Sequence, residues 1–152
     1  MSNLQRSFWT GREVHLGDSS AIAQVGALCV RPGASGPMVL LVKSSRGRWI
    51  LPKGWPIEGH TDAEAAKIEA WEEAGVAKGR VGKAAIAGYM TEKRYDDGRR
   101  VPCHVSVYRI DVTAMTETYP EANMRKRKWM SPGKAAKKVS DPGLKEILQT
   151  IT

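Results

Sequence analysis

Three glutamates stand close together in the stretch IEAWEEAGV, residues 68–76. They are Glu69, Glu72 and Glu73, and on a helix their spacing places them within an arc of about 100°. Carboxylates four residues apart repel each other, and no cation one turn before or after relieves Glu69 and Glu73. A divalent cation would stabilise such a cluster. Mg²⁺ and Mn²⁺ prefer oxygen ligands and leave room in their coordination sphere for substrate phosphates.

The segment that carries these glutamates has the start and stop signals of a helix. Thr61 is a suitable N-cap, and Glu64 completes a T-x-x-E capping box three residues later. Gly75 fits the C-terminal stop. The residues between these signals are rich in helix formers. Taken alone, E-x-x-E-E is more typical of a solvated acidic helix face than of a metal site, so the surrounding sequence must decide.

Residues 54–76 resemble the signature of the Nudix hydrolase family, G-x5-E-x7-R-E-U-x-E-E-x-G-U, in which U is an apolar residue. The matching positions are Gly54, Glu69, Ala70, Glu72, Glu73, Gly75 and Val76. The resemblance implies a metal-dependent hydrolase of a nucleoside diphosphate linked to another moiety, or of a related diphosphate. It also implies an α/β (α+β) fold, the Nudix-type α/β/α sandwich with a mixed β-sheet.

The resemblance also assigns roles to individual residues. Glu69 and Glu73 match the metal-ligand positions, and the backbone carbonyl of Lys53 matches a further ligand. Glu72 matches the position usually assigned as general base, or as an additional metal ligand. The cofactor implied is Mg²⁺, or Mn²⁺ in its place.

Two positions depart from the signature. Position 60 should be Glu and is His60, and position 68 should be Arg and is Ile68. In the family that arginine steadies the neighbouring metal-binding glutamate through a charge-assisted hydrogen bond, which Ile68 cannot make. The loss of such a supporting contact typically weakens metal binding or activity about 10–100-fold. His60 is a candidate to contact phosphate or a metal-bound water, with a solvated loop histidine as the alternative.

The flanking sequence is similar to the diphosphoinositol polyphosphate phosphohydrolase branch of the family and its bacterial relatives. In that branch a serine–arginine turn after the second strand and a basic segment before a late tryptophan bind phosphates. The residues matched here are Ser44, Ser45, Arg46 and Arg125. Arg48 is a further candidate phosphate ligand, and Trp55 is a candidate to stack on a base. The branch's basic residues ahead of the first core strand are not matched, since residues 22–24 are Ile, Ala and Gln.

The apolar patterning predicts strands on both sides of this helix. The predicted strands are 21–30, 38–43, 49–52, 81–90, 101–112 and 124–130, with a turn over 31–37. Ser131-Pro132 and Asp141-Pro142 each pair an N-cap residue with proline at the first helical position, so two further helices are expected. Residues 1–20 are predicted to be a loose lead-in, and residues 21–152 a single Nudix hydrolase domain.

The composition limits the partners. The chain has 152 residues and a net charge of +8, which favours polyanionic partners. No apolar run is long enough to span a bilayer. Cys29 and Cys103 lie in apolar runs and are expected to be buried free thiols. We therefore expect a cytoplasmic protein, with no membrane and no DNA partner; the sequence leaves the oligomeric state open.

Three functions follow from these observations. The first is hydrolysis of a diphosphate linkage in a polyphosphorylated small molecule, of the diadenosine polyphosphate or diphosphoinositol polyphosphate type. The second is pyrophosphohydrolysis at the 5′ end of RNA, which the positive charge permits. The third is a catalytically weakened binding module with the same fold, motivated by His60 and Ile68.

Overall fold

The structure is a computed structural model that describes residues 12–17 and 19–152. Most of the lead-in predicted for residues 1–20 lies outside this part of the chain. The prediction of a loose segment is wrong for residues 13–16, which form a strand paired from Glu13 opposite Ile22 to Leu16 opposite Ser19. Its four residues alternate polar and apolar but are mostly exposed, and the strand depends on main-chain pairing with β2, which the residues of this segment do not show by themselves.

Nine strands form one sheet in the described part of the chain, and three helices pack on it. The strands are β1 (Glu13–Leu16), β2 (Ser19–Gly33), β3 (Gly36–Lys43), β4 (Trp49–Ile50), β5 (Lys53–Gly54), β6 (Val76–Val81), β7 (Ala87–Arg94), β8 (Arg100–Met115) and β9 (Arg127–Met130). The helices are α1 (Asp62–Ala74), α2 (Pro132–Lys138) and α3 (Pro142–Gln149).

The sheet is mixed, as the resemblance implied. Its main path runs β4–β3–β2–β8–β6, and β1, β5, β7 and β9 pair with strands of this path. The two long central strands, β2 and β8, are parallel from Ile22 opposite Cys103 to Val30 opposite Asp111. The other pairs of named strands are antiparallel. This arrangement confirms the predicted fold class.

Helices cover both faces of the sheet, and alternation along β2 separates the two layers of core. Ala27 and Cys29 pack with α1 on one face, whereas Leu28 and Val30 pack with α2 and α3 on the other. This is the period-two pattern of a strand buried on both sides. Cys29 and Cys103 are buried free thiols, as expected.

The signals that delimit α1 act as predicted. The Thr61 side chain accepts a hydrogen bond from the Glu64 amide at 3.1 Å, and the Glu64 carboxylate accepts one from the Thr61 amide at 2.8 Å. Gly75 has φ 71°, a left-handed conformation that suits glycine, and its amide donates to the Trp71 carbonyl at 3.0 Å. The helix that carries the three glutamates is therefore fixed at both ends.

The strand predicted over residues 81–90 is interrupted. β6 and β7 both run antiparallel along the same edge of β8, but Val81 lies opposite Ile110 and Ala87 opposite Val107. Five residues, 82–86, therefore stand opposite only two residues of β8, and they form a loop that leaves the edge of the sheet. The interruption depends on pairing with β8, which is distant in the sequence.

Candidate active site

The three clustered glutamates near the C-terminal end of α1 are buried, unlike Glu64 near its start. Glu69, Glu72 and Glu73 are 0 %, 4 % and 2 % exposed, which rules out a solvated acidic helix face. Buried carboxylates are expensive unless they are paired or bind a cation. The helix therefore holds an acidic wall, by which we mean Glu69, Glu72 and Glu73, inside the protein.

Gly54 in β5 makes room for this wall. A Cβ atom at position 54 would overlap the Glu69 carboxylate. The first glycine of the signature is thus needed because the carboxylate of Glu69 packs directly against the main chain of β5. Through this contact β5 limits where the Glu69 side chain can lie.

Glu73 shows the electrostatic cost of the arrangement. Burial, reinforced by the charge of Glu69, raises the pKa of Glu73 well above its usual value. Arg125 opposes this effect, with its Nε 4.0 Å from Oε1 of Glu73. That Oε1 atom is buried and accepts no hydrogen bond within the described residues. The site would therefore gain from a further cation.

The carboxylates do not form a complete set of metal ligands, but they suit a cation that takes its remaining ligands from water and substrate. Within residues 12–17 and 19–152, no three His, Cys, Asp or Glu side chains are arranged as a complete set of metal ligands. Mg²⁺, however, is usually held by only one or two carboxylates, with water and substrate phosphates completing the octahedron. The buried pair Glu69 and Glu73, beside an open cleft, matches that mode of binding.

The connector, residues 116–126 between β8 and β9, closes the C-terminal end of α1. The Glu121 amide donates to the Glu72 carbonyl at 3.0 Å. Nε of Arg125 donates to Oε1 of Glu121 at 2.8 Å. Just beyond the connector, Nη1 of Arg127 donates to the Ala74 and Thr116 carbonyls, each at 2.8 Å. The last turn of α1 contains no basic residue, so cations from another part of the chain serve it.

A cleft of about 340 Å³ opens beside the acidic wall. Glu73 is the member of the acidic wall that lines the cleft, and Lys53, Arg125 and Trp55 line it as well. The remaining lining residues are Gln24, Ser44, Ser45, Arg46, Arg48, Ile50, Gly54, Glu92, Lys93 and Arg94. Six cationic side chains and two carboxylates therefore line the cleft, which suits a substrate with several negative charges.

The predicted serine–arginine turn forms one side of the cleft. The Ser44 amide donates to the Arg48 carbonyl at 2.7 Å, and the Arg48 amide donates to the Ser44 hydroxyl at 3.1 Å. Ser44 therefore shapes the turn and keeps its own O–H for a ligand. Nε of Arg48 is buried without a hydrogen-bond acceptor in the described part of the chain. Arg46 reaches across to Asp96, 3.3 Å away.

The structure adds residues to the cleft that the sequence reading did not assign. Lys93 and Arg94, at the end of β7, line the side formed by the β7–β8 hairpin. The only sequence signal was the run of basic residues around the D-G turn of that hairpin. Gln24 accepts a hydrogen bond from Nζ of Lys53 at 2.9 Å, while burial lowers the pKa of the Lys53 ammonium and the nearby Glu73 opposes that shift.

His60 does not join this group of residues. It is exposed, its Nδ1 lies 3.9 Å from Oε1 of Glu64, and it is not among the described residues that line the cleft. Ile68 is half-buried on α1. The position that departs from the signature at 60 is therefore a surface position here, whereas the one at 68 lies beside the acidic wall.

No helix in the described part of the chain has the length and apolar character needed to cross a bilayer.

Comparison with known protein families gives one match over most of the chain. The family model described as NUDIX domain matches residues 22–151. A curated relative, Nudix hydrolase 16, mitochondrial, from Arabidopsis thaliana, is 32 % identical over 114 residues. The aligned region covers 72 % of this chain and 62 % of the relative, so the match spans less than two thirds of that protein's length.

Solved structures show the same fold. The dihydroneopterin triphosphate pyrophosphohydrolase of E. coli matches with a TM-score of 0.62 at 15 % identity, over 85 % of this chain and 94 % of that one. An Ap4A hydrolase binary complex from C. elegans matches with a TM-score of 0.57 at 19 % identity, over 84 % and 92 %. At these identities the likeness concerns the fold alone.

Proposed function

The chain belongs to the Nudix hydrolase family, and from this premise we propose that it is a metal-dependent hydrolase of a diphosphate linkage in a polyphosphorylated small molecule. The observation that carries the proposal is the burial of Glu69, Glu72 and Glu73 on one helix, with Glu73 among the residues that line a cation-rich cleft. Substrates of the diadenosine polyphosphate or diphosphoinositol polyphosphate type present the required density of charge.

Glu69, Glu73 and the backbone carbonyl of Lys53 would hold the metal, Mg²⁺ or Mn²⁺. When bound, a metal ion of this kind polarises a phosphoryl oxygen and acidifies water. Its charge would also offset the burial and the repulsion by Glu69 that together raise the pKa of Glu73. The supporting observations are the adjacent buried carboxylates and the buried Oε1 of Glu73.

Glu72 is the general base in this proposal. Its carboxylate accepts a proton from the attacking water, whose oxygen bonds to one phosphorus while the bond from that phosphorus to the bridging oxygen breaks. The bridging oxygen leaves with the other phosphoryl group. The main chain of Glu72 is fixed by the Glu121 amide, which holds the base in position on α1.

The basic residues and two serines hold the outer phosphates. On one side of the cleft the phosphates would contact Ser44, Ser45, Arg46 and Arg48, and on the other side Lys93 and Arg94. Arginine suits this task because its planar fork binds phosphate oxygens in pairs. Trp55 lines the same cleft and would stack on a base, which would favour a dinucleoside polyphosphate over an inositol phosphate. The C. elegans neighbour is named as an Ap4A hydrolase.

A second activity, hydrolysis at the 5′ end of triphosphorylated or capped RNA, is favoured by the exposed cations of the β7–β8 hairpin. Arg99 and Arg100 continue the basic surface beyond the cleft, where a polynucleotide would extend. A binding module without turnover is the third candidate, motivated by Ile68 in place of the signature arginine.

The test is a phosphate-release screen with Mg²⁺ and with Mn²⁺. The substrates are diadenosine polyphosphates, nucleotide sugars, nucleoside triphosphates, inositol pyrophosphates and 5′-triphosphorylated RNA. Glu73→Gln is the matched inactive variant, and we expect it to lose about 10³-fold or more in turnover because several kcal/mol of charge stabilisation depend on the metal. Equal turnover by both proteins would contradict the metal assignment. Tight binding of a substrate without release in either metal would favour the binding module.

A further inference from the structure

Arg125 has internal partners that a phosphate ligand would not need. Its side chain is only 19 % exposed and lies between two carboxylates, with Nε 2.8 Å from Oε1 of Glu121 and 4.0 Å from Oε1 of Glu73. Glu121 is itself 7 % exposed. A guanidinium enclosed by two buried carboxylates has part of its hydrogen-bonding capacity already committed within the protein.

The segment around Arg125 is also attached to the last turn of α1. The Glu121 amide donates to the Glu72 carbonyl at 3.0 Å, and Arg127 binds the Ala74 carbonyl at 2.8 Å. The connector is therefore attached to the last turn of α1 on either side of Arg125. A cation held in this way has a defined place relative to the carboxylate of Glu73.

The helix itself offers no cation for this purpose. Ile68 stands where the resemblance places an arginine, and the last turn of α1 contains no basic residue. A buried carboxylate without a cation would adopt several orientations or take up a proton. Arg125 therefore supplies Glu73 with a cation that α1 does not provide.

We propose that Arg125 is a positioning residue, which orients the Glu73 carboxylate for metal binding from the connector. This differs from the phosphate contact expected for Arg125 from the resemblance. It rests on the proposed function only in taking Glu73 as a metal ligand. Arg125 acts through Glu73 and need not touch the substrate.

The test compares Arg125→Gln with the unmodified protein by two measurements. Mn²⁺ affinity is measured without substrate by electron paramagnetic resonance, and kcat and KM are measured on the best substrate of the screen. We expect Mn²⁺ to bind about 10–100-fold more weakly, as for other lost supporting contacts. We expect kcat to fall while KM stays nearly unchanged. A raised KM with unchanged Mn²⁺ affinity would show a phosphate ligand and overturn the proposal, as would no change at all.

Two further variants make the result specific. Lys126→Gln removes a positive charge from the next, exposed residue, and should leave Mn²⁺ affinity and KM unchanged. If Arg125→Gln does not fold, Arg125→Lys takes its place with a smaller loss of Mn²⁺ affinity expected; a raised KM at full Mn²⁺ affinity would again contradict the proposal.

The metal measurement separates this proposal from the proposed function. A protein whose Mn²⁺ affinity falls in both Glu73→Gln and Arg125→Gln, but which releases no phosphate from any substrate, would refute the enzyme and support the positioning role. If the protein hydrolyses a substrate and Arg125→Gln binds Mn²⁺ as tightly as the unmodified protein, the proposed function is supported and the positioning role is refuted.

Discussion

The two sides of the cleft are built in opposite ways. The acidic wall on α1 is buried to 4 % exposure or less, and its helix is fixed by caps, by β5 and by the connector. The basic rim, by which we mean the turn 44–48 and the hairpin end 93–94, is formed mainly by half-buried and exposed residues in turns and at a strand end. One side is part of the core, and the other is part of the surface.

The proposed function gives the two regions different tasks, with metal binding and turnover at the acidic wall and phosphate binding at the basic rim. The acidic wall lowers the stability of the metal-free fold, because like charges are buried together, and a substitution there disturbs both folding and turnover. The rim side chains are half-buried or exposed, so exchanging one of them should change phosphate binding with little effect on the fold. Substitutions in the two regions should therefore differ in kind as well as in size.

After Glu73→Gln, the largest loss of turnover is expected from Gly54→Ala. The added Cβ overlaps the Glu69 carboxylate, so either β5 or the glutamate must move. We expect turnover to fall about 10–100-fold or more through loss of metal binding, with about 1–3 kcal/mol of stability lost to overpacking. Steady-state kinetics and denaturant unfolding measure these changes. Gly133→Ala in α2, where a Cβ meets nothing within 4 Å, is the control and should keep full activity. Full activity in Gly54→Ala would show that Glu69 is not held by β5.

The next effect concerns the pH dependence of stability in the metal-free protein. The pKa of Glu73 is raised in the folded state from a value near 4.5, so the unfolded chain releases its proton first as the pH rises. The free energy of unfolding should then fall between about pH 4.5 and the raised pKa, by about 1.4 kcal/mol for each unit of separation. Glu73→Gln should lack this component, which urea unfolding of both proteins across that range would measure.

Addition of Mn²⁺ should reverse that loss in the unmodified protein only. Metal binding requires the ionised carboxylate, so the stabilisation by Mn²⁺ should grow with pH and be absent in Glu73→Gln. Equal stabilisation of the two proteins by Mn²⁺ would place the metal elsewhere. Subtracting one profile from the other also removes the contributions of titrating groups that the two proteins share.

These expectations show which parts of the molecule can be read from the sequence. The helix α1 was predicted with its caps, because Thr61, Glu64 and Gly75 act on neighbours within four residues. The burial of Glu69 was not, because it depends on β5 and on packing across the chain. The interruption at residues 82–86 and the place of Lys93 in the cleft were missed for the same reason, since both are set by pairing with β8.

Arg125 shows what the sequence leaves out about a single residue. The resemblance predicts a phosphate ligand, and the structure shows that Arg125 lines the cleft and pairs with Glu121. Its partner Glu121 gave no signal in the sequence, because a glutamate four residues earlier in an irregular segment is unremarkable. Charge pairing between irregular segments needs coordinates to be seen, whereas capping follows local rules.

On the basic rim, Arg48→Gln should raise KM and leave kcat and the melting temperature nearly unchanged. Arg48 lines the cleft, where the proposed function gives its guanidinium an outer phosphate to bind. A charge-assisted hydrogen bond contributes about 1.5–3 kcal/mol, which corresponds to a rise in KM of about 10–100-fold. Arg80→Gln, exposed on β6 and outside the cleft, is the control. A fall in kcat at constant KM would move Arg48 from substrate binding to the chemical step.

The smallest effect is expected from Asp96→Asn, which removes the partner of Arg46 across the mouth of the cleft. The two side chains are 3.3 Å apart and exposed, and such ion pairs contribute little to stability. We expect an unchanged melting temperature and a KM lowered at most about fivefold at low salt, because Arg46 becomes available to phosphate. The change should vanish at high ionic strength, where the charges are screened. Asp97→Asn removes the same charge from the same hairpin but leaves the Arg46 pair intact, so an equal shift in KM would attribute the effect to net charge and not to the release of Arg46.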